Sequence, residues 1–389
     1  MTKQRPPPAG DALARVVLDR CLSVRRGESI TIETWTHALP WALPFVAEAR
    51  RIGAEPALVV EDEETFFRSL AARGGGTAAQ APVAPAGSSD VYVYFGGPED
   101  FPRLFGLPSQ DLESVVVRHG PGWWRAARRA GLRAARLAIS AATPTAAARY
   151  GVDLESWQRE ILAGSRVIPD RLARRGARWV RRLTRAKTVR IRHANGTDLS
   201  VRLRQGPMIL EDGRVDRTDL AAGRFWTQIP TGLVAVPLRD GFAEGTWEAN
   251  RPVYDRLADP PVALGPRFEV FEGRLQQVSF DRGGEPFASA YASGGAGRDL
   301  PGGLIFGLNP AILHAPELEE IALGSVSLLL GNNRAVGGRN RSRFSYLTTL
   351  SDASVDLDGV PWLVEGAETA PRRPASSRAR RAVRRSPRG

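Results

Sequence analysis

Cys21 is the only cysteine in this 389-residue chain. An intrachain disulfide framework and a thiolate-rich zinc site are therefore excluded, and a reducing, cytoplasmic setting is expected. Histidine is nearly as scarce, at positions 37, 119, 193 and 314, which limits every scheme that needs an imidazole as proton shuttle or metal ligand. The N-terminal MTKQRPPPAGDA lacks the apolar core of a signal peptide, and no run of about 18 apolar residues occurs, so neither secretion nor a transmembrane helix is expected. No GxSxG elbow, phosphate-binding P-loop, HExxH or CxxC motif is present. The glycine clusters at 74–76, 294–297 and 302–303 lack the GxGxxG spacing and a helical pattern after it, and read as turns.

What is present suits a soluble globular protein. With 42% hydrophobic and 25% charged residues, the chain can build two ordinary domains with real cores. The net charge of +12 invites a nucleic-acid or membrane reading, but Arg372 to Gly389 carries eight arginines and no acid, leaving +4 for the rest. Nucleic acid is therefore not expected as a partner, apart from non-specific binding of a polyanion by that tail. No membrane partner is expected either.

Hydrophobic periodicity divides the chain into a disordered N-terminus (1–10), an α/β domain with βαβ units (11–186), a β-rich second domain (187–368) and a disordered arginine-rich tail (369–389). In the first domain, residues 11–25 read as a helix and SITIET as a strand. A second helix follows from His37 to Ile52, ended by Gly53, and AEPALVVED and VYVYFGG are further strands. The segment 74–89 reads as a flexible loop, and Asp153 as the N-cap of a helix. In the second domain TVRIRH and TDLSVRL form a hairpin about Ala194-Asn195-Gly196, and FEVFEG, RLQQVSFD, GSVSLLLG and ASVDLDG read as strands. The class is α/β at the N-terminus and α+β overall.

Some local constellations have bland readings. His314 and Glu317 are three apart, the spacing of two metal ligands on one helical turn, but Pro316 intervenes and a solvated helix start is the better reading. His193 precedes a turn and reads as structural. Arginines 125, 128, 129, 133 and 136 beside Trp123 and Trp124 resemble a nucleic-acid patch, yet their spacing also makes one solvated helix face.

A more specific signal is an ordered series of short motifs. Gly27-Glu28 and Gly53-Ala54-Glu55-Pro56 each stand before a strand. Thr143-Pro144 with Gly151, Gly196-Thr197-Asp198-Leu199 and Ile229-Pro230-Thr231-Gly232 follow. Gly307-Leu308-Asn309-Pro310, Gly331, and Gly337-Gly338 with Asn340 complete the series. Over about residues 11–364 it resembles the aminopeptidase T family of dinuclear metallo-aminopeptidases. The resemblance implies that family's second domain and a homodimer. It also implies a metal site of two glutamates, two histidines, a tyrosine and an aspartate. Position by position, the glutamates fall on Leu233 and Gly303, the first histidine on Ser327 and the tyrosine on Arg334. The His-x-Asp falls on Ser345-Tyr346-Leu347. None of the six is kept, so the resemblance implies a divergent member without metal ligands and without a cofactor. The iron-dependent dihydroxypyridine dioxygenases resemble the same scaffold, but they too need a His/His/Asp site.

Three readings remain. In the first, the chain binds a peptide in the former active-site cavity without cutting it, and could present a precursor peptide in natural-product assembly. Arg334, Arg343, Asn332, Asn333 and Asn340 would then anchor polar ends, and Trp226, Phe344 and Tyr346 would cover apolar side chains. In the second, the chain is a metal-independent enzyme acting on a peptide or small amide. Arg334 would stabilise charge, and Ser327, Ser345 or Tyr346 would supply a hydroxyl. In the third, it is an active metallo-aminopeptidase with relocated ligands.

Overall fold

A computed structural model describes residues 8–73, 83–106 and 119–369. The glycine run 74–76, residues 1–7 of the expected N-terminal tail and the arginines after residue 369 lie outside the described residues.

Five parallel strands make the first sheet. β1 (Ser29–Trp35), β2 (Glu55–Glu61), β3 (Val91–Tyr94) and β4 (Arg133–Leu137) come from the N-terminal third. The fifth strand is contributed much later in the chain. β5 (Thr188–Arg192), β6 (Asp198–Leu203) and β7 (Ile209–Glu211) intervene before β8 (Trp226–Ile229) returns to pair with β4, giving the order β2-β1-β3-β4-β8. The turn chemistry is the expected one. Helix Leu39–Ile52 ends where Gly53 takes φ +85 and its N–H reaches back to the last-turn carbonyls. Asp153 accepts the Ser156 amide at 2.8 Å and starts helix Leu154–Ser165.

The second sheet is antiparallel and curls on itself. Its spine is β9 (Leu233–Glu248), 16 residues long, which pairs along one half with β14 (Pro301–Gly307) and along the other with β6. Two short strands, β10 (Val253–Tyr254) and β11 (Val262–Ala263), pair separately. The hairpin β12 (Arg267–Phe271) and β13 (Arg274–Ser279) joins the far half of β9. β15 (Val326–Gly331) and β16 (Ser345–Leu350) extend from β14 on one side. β17 (Ser354–Leu357), β18 (Val360–Val364) and β19 (Ala367–Glu368) extend from β5 on the other. One large core, with Trp179, Trp247, Phe268, Phe306 and Trp362, fills the curl. Another lies under the parallel sheet. The mixed α/β class is as expected.

Three local expectations are corrected. Gly302 and Gly303 are not a turn: they lie inside the fully buried β14. A Cβ on Gly302 would sit 2.8 Å from the Gly331 carbonyl oxygen, and one on Gly303 2.8 Å from Val336 Cγ2, so close approach and not turning selects glycine. The arginines at 125–136 do not share a helix face. Helix Pro121–Ala130 stops at Gly131 (φ +67), which puts Arg133 and Arg136 on β4. Finally, Val83–Ser88, inside the segment read as loop, is helical.

Candidate functional site

A cavity of about 680 Å³ opens where the carboxyl edge of the parallel sheet faces the curled sheet. Trp35 and Tyr94 end β1 and β3, and Arg136 and Gln228 stand one residue from the ends of β4 and β8. This is the edge at which open α/β sheets place their ligands. The opposite wall comes from three separated segments: β10 with Asp255–Leu257, the stretch Glu317–Glu320, and β16 through Ser345, Tyr346, Leu347 and Thr349. A side chamber of about 190 Å³ shares Arg136, Gln228, Arg256, Glu317 and Glu320 with the main cleft.

Charge in the cleft is only partly paired. Arg256 donates through Nε to Glu317 at 2.9 Å and through a second nitrogen to the other carboxylate oxygen, and its guanidinium lies 4.8 Å over the Phe101 ring. Glu317 also accepts the Tyr150 hydroxyl. Burial alone would lower the Arg256 guanidinium, but Glu317 outweighs it and holds the group above its ordinary value. Arg136 is different. No hydrogen bond or ion pair holds its guanidinium among the described residues, and burial, then the nearby Arg256, push it below its ordinary value.

The acids beyond Glu317 are strongly perturbed. Glu319 is 7% exposed and its Oε1 has no hydrogen-bond partner. Burial, then the adjacent Glu320, raise it well above the carboxylate range. Burial raises Glu320 as well, to about 7, with Glu211 and Glu317 adding to the effect. Burial therefore disfavours the charged form of both, and Glu320 is about half protonated at pH 7.

An aromatic wall surrounds His119. Its ring centroid lies 4.3 Å from Trp123, 4.8 Å from Tyr94 and 5.2 Å from Trp226. The Tyr92 hydroxyl donates to Glu33, so its oxygen accepts from His119 Nε2–H at 2.9 Å. That chain fixes the protonated nitrogen of the ring.

Of the ten candidate site residues named from the sequence, Trp226, Ser345 and Tyr346 line the cleft. Ser327 is fully buried and hydrogen-bonds Thr349 Oγ1 at 2.9 Å. Asn332 and Asn333 donate to the Ser342 and Gly302 carbonyls at 2.9 and 2.8 Å, stitching down the loop between β15 and β16. Asn340 does the same toward Gly297 and Gly331. Phe344 is buried. Arg334 and Arg343 are exposed and are not among the cleft-lining residues. Sequence reasoning missed Arg136, His119, Glu319 and Glu320. His314 contacts Arg251 while Glu317 turns to Arg256, so the two do not form a ligand pair. His193 accepts the Asn195 amide at 3.1 Å within its turn, a structural role.

Of the six positions assigned to the dinuclear site by resemblance, Leu233 and Leu347 share one apolar cluster, Ser327 is buried, and Arg334 and Ser345 are exposed. Leu233 and Leu347 pack against Ala235, Ile305, Leu329 and Val336. Gly303 pairs with Leu329, which pairs with Leu347 on the next strand. The turn carrying Arg334 inserts Val336 into this cluster. Among the described residues no three His, Cys, Asp or Glu side chains are gathered to hold a metal ion. A divalent pair does not fit this donor set, since aliphatic groups cannot replace its hydration shell.

The fold is similar to that of wild-type AmpT from Thermus thermophilus, with a TM-score of 0.67 and 18% identity over 93% of this chain and 99% of that one. It is also similar to 2,5-dihydroxypyridine dioxygenase from Pseudomonas putida KT2440, with a TM-score of 0.61 and 15% identity over 94% and 97% of the two chains. At these identities the fold is what is shared: the chain has an aminopeptidase-T-like fold. No protein family profile and no curated protein matches it. Among the described residues no helix is long and apolar enough to cross a membrane.

Proposed function

We propose that the chain holds a short peptide in the cleft without metal-dependent hydrolysis, on a scaffold of the aminopeptidase T kind. One observation carries the reading. Two of the positions where the resemblance puts metal ligands, Leu233 and Leu347, pack with Val336 in an apolar cluster, while beside them a cleft of about 680 Å³ stays open, walled by aromatics and partly unpaired charge. Trp226 and Tyr346 would cover apolar side chains, and Ser345 would bond the peptide backbone. Presentation of a precursor peptide to modifying enzymes is a use that suits such a protein. In this proposal the chain acts as a homodimer in the cytoplasm, and gel filtration giving a monomer would count against the dimer. The test of the main reading is metal content together with release of amine from leucyl-anilide in added zinc, cobalt or iron. No stoichiometric metal and no turnover are expected; metal-dependent turnover overturns the reading.

A second reading has one observation in its favour. His119, held by Tyr92 and Glu33, lines the same cleft as Ser345, so a base and a hydroxyl share one site. A metal-independent amide hydrolase would lose turnover on His119→Asn, with binding retained. No turnover by the unsubstituted protein removes this reading.

A further inference from the structure

Among the described residues, the cleft holds one guanidinium with no hydrogen bond or ion pair and one carboxyl with an oxygen left unbonded. Glu319 is nine-tenths buried, lines the cleft, and has an oxygen, Oε1, that no group among the described residues satisfies. Folded proteins rarely leave such an atom unsatisfied unless a ligand or water meets it. Arg136 is the complementary case. Arg256 is taken by Glu317 and Phe101, whereas the Arg136 guanidinium, which feels Glu317 only at a distance, makes no hydrogen bond or ion pair among the described residues and faces both chambers. A half-buried cationic fork whose neighbouring acid, Glu317, is already engaged by Arg256 suits an anion, and carboxylate matches it with two parallel bonds.

We propose that this pair reads a zwitterion, a peptide of a few residues with both ends free, its α-ammonium on Glu319 beside Glu320 and its carboxylate on Arg136. The inference rests on the peptide-holding reading. A cleft of about 680 Å³ lies within the roughly 300–1,000 Å³ of small-ligand sites. That admits a short peptide and excludes a folded partner. Tyr94, Trp226, Tyr254 and Tyr346 offer apolar faces between the two poles.

Binding has a proton consequence. Burial disfavours the charged form of the Glu319 carboxyl in the empty cleft. An ammonium placed against it stabilises the carboxylate, so the acid gives its proton to solvent while the peptide keeps all of its own. Up to one proton leaves per peptide bound. The charged and titratable groups that face this pair are Glu317 on its own segment, and Tyr254, Asp255 and Arg256 from β10 and its loop. Arg136 on β4, Tyr94 on β3, Tyr346 on β16, His119, and Glu211, which acts on Glu320, also face it. Paired Arg256 and Glu317 nearly cancel, which leaves Glu319, Glu320 and Arg136 to set the sign at each end.

The test is calorimetry at pH 7 with leucyl-glycine, N-acetyl-leucyl-glycine and leucyl-glycinamide, each in two buffers of different ionisation enthalpy. Leucyl-glycine should bind with release of up to one proton. Acetylation should weaken binding by about 100-fold, and amidation by about 10-fold, as expected for loss of a desolvated charge contact. Glu319→Gln should abolish proton release and the penalty for acetylation, and Arg136→Met the penalty for amidation. Proton release by the unsubstituted protein reports the same point if either variant fails to fold. Equal binding of all three ligands without proton exchange overturns the zwitterion site and leaves the peptide cleft standing. An acetylation penalty without an amidation penalty overturns the role of Arg136 alone. No binding of any of the three overturns the cleft reading itself.

Discussion

Glu320→Gln is the substitution whose effect the structure sizes best. Burial raises this carboxyl from 4.5 to about 7, Glu211 and Glu317 adding and a backbone hydrogen bond opposing. Between those two pH values the folded chain binds more protons than the unfolded one, so stability falls as pH rises. The contribution is fully present below about 4.5 and lost above about 7. At about 1.4 kcal/mol per pH unit it amounts to about 3 kcal/mol, an upper figure because Glu320 keeps some contact with cleft water. Glutamine has the same shape and cannot titrate. Urea unfolding of both proteins from pH 4.5 to 7.5 should show the stability difference moving in favour of the variant by up to about 3 kcal/mol. A difference that stays flat over that range would mean that the carboxyl is ordinary, and the argument for a neutral acid pair would go with it.

Three further outcomes follow from particular contacts. Gly303→Ala should destabilise by about 1–3 kcal/mol in urea unfolding, because its Cβ meets Val336 Cγ2 at 2.8 Å, and Val336→Ala in the same chain should recover part of the loss; independent, additive effects would refute the contact. Arg256→Met leaves Glu317 half-buried without its guanidinium and should cost about 3–5 kcal/mol by the same measurement. Removing residues 370–389 takes the net charge from +12 to +4 and should abolish salt-sensitive retention on a nucleic-acid column; unchanged retention would locate polyanion binding elsewhere in the chain.

Local pattern carried the fold well where one residue decides one event. Gly53 and Asp153 end and start helices as their chemistry requires, and the alternation in TVRIRH and TDLSVRL gave β5 and β6. Pattern failed where a tertiary neighbour decides. Gly302-Gly303 looks like a turn until Asn333 and Val336 are seen pressing on it, and Arg136 looks like a helix-face arginine until Gly131 ends the helix. The cleft was the least legible part. Its walls come from segments between Trp35 and Thr349 that no spacing connects, so only Trp226, Ser345 and Tyr346 were anticipated. A signal for Glu319-Glu320 was available: two adjacent acids between Leu318 and Ile321 must either face solvent or be buried at a cost. The ordered motifs gave the scaffold. They also gave six positions for a site, of which Leu233 and Leu347 pack together with Val336.

The most direct test of the account is to incubate the protein with leucyl-glycine and added zinc, cobalt or iron, remove the bound fraction and weigh its peptide by mass spectrometry. Saturable binding with leucyl-glycine recovered intact, whatever the metal, is the expected result. Free leucine appearing in proportion to added metal would contradict it.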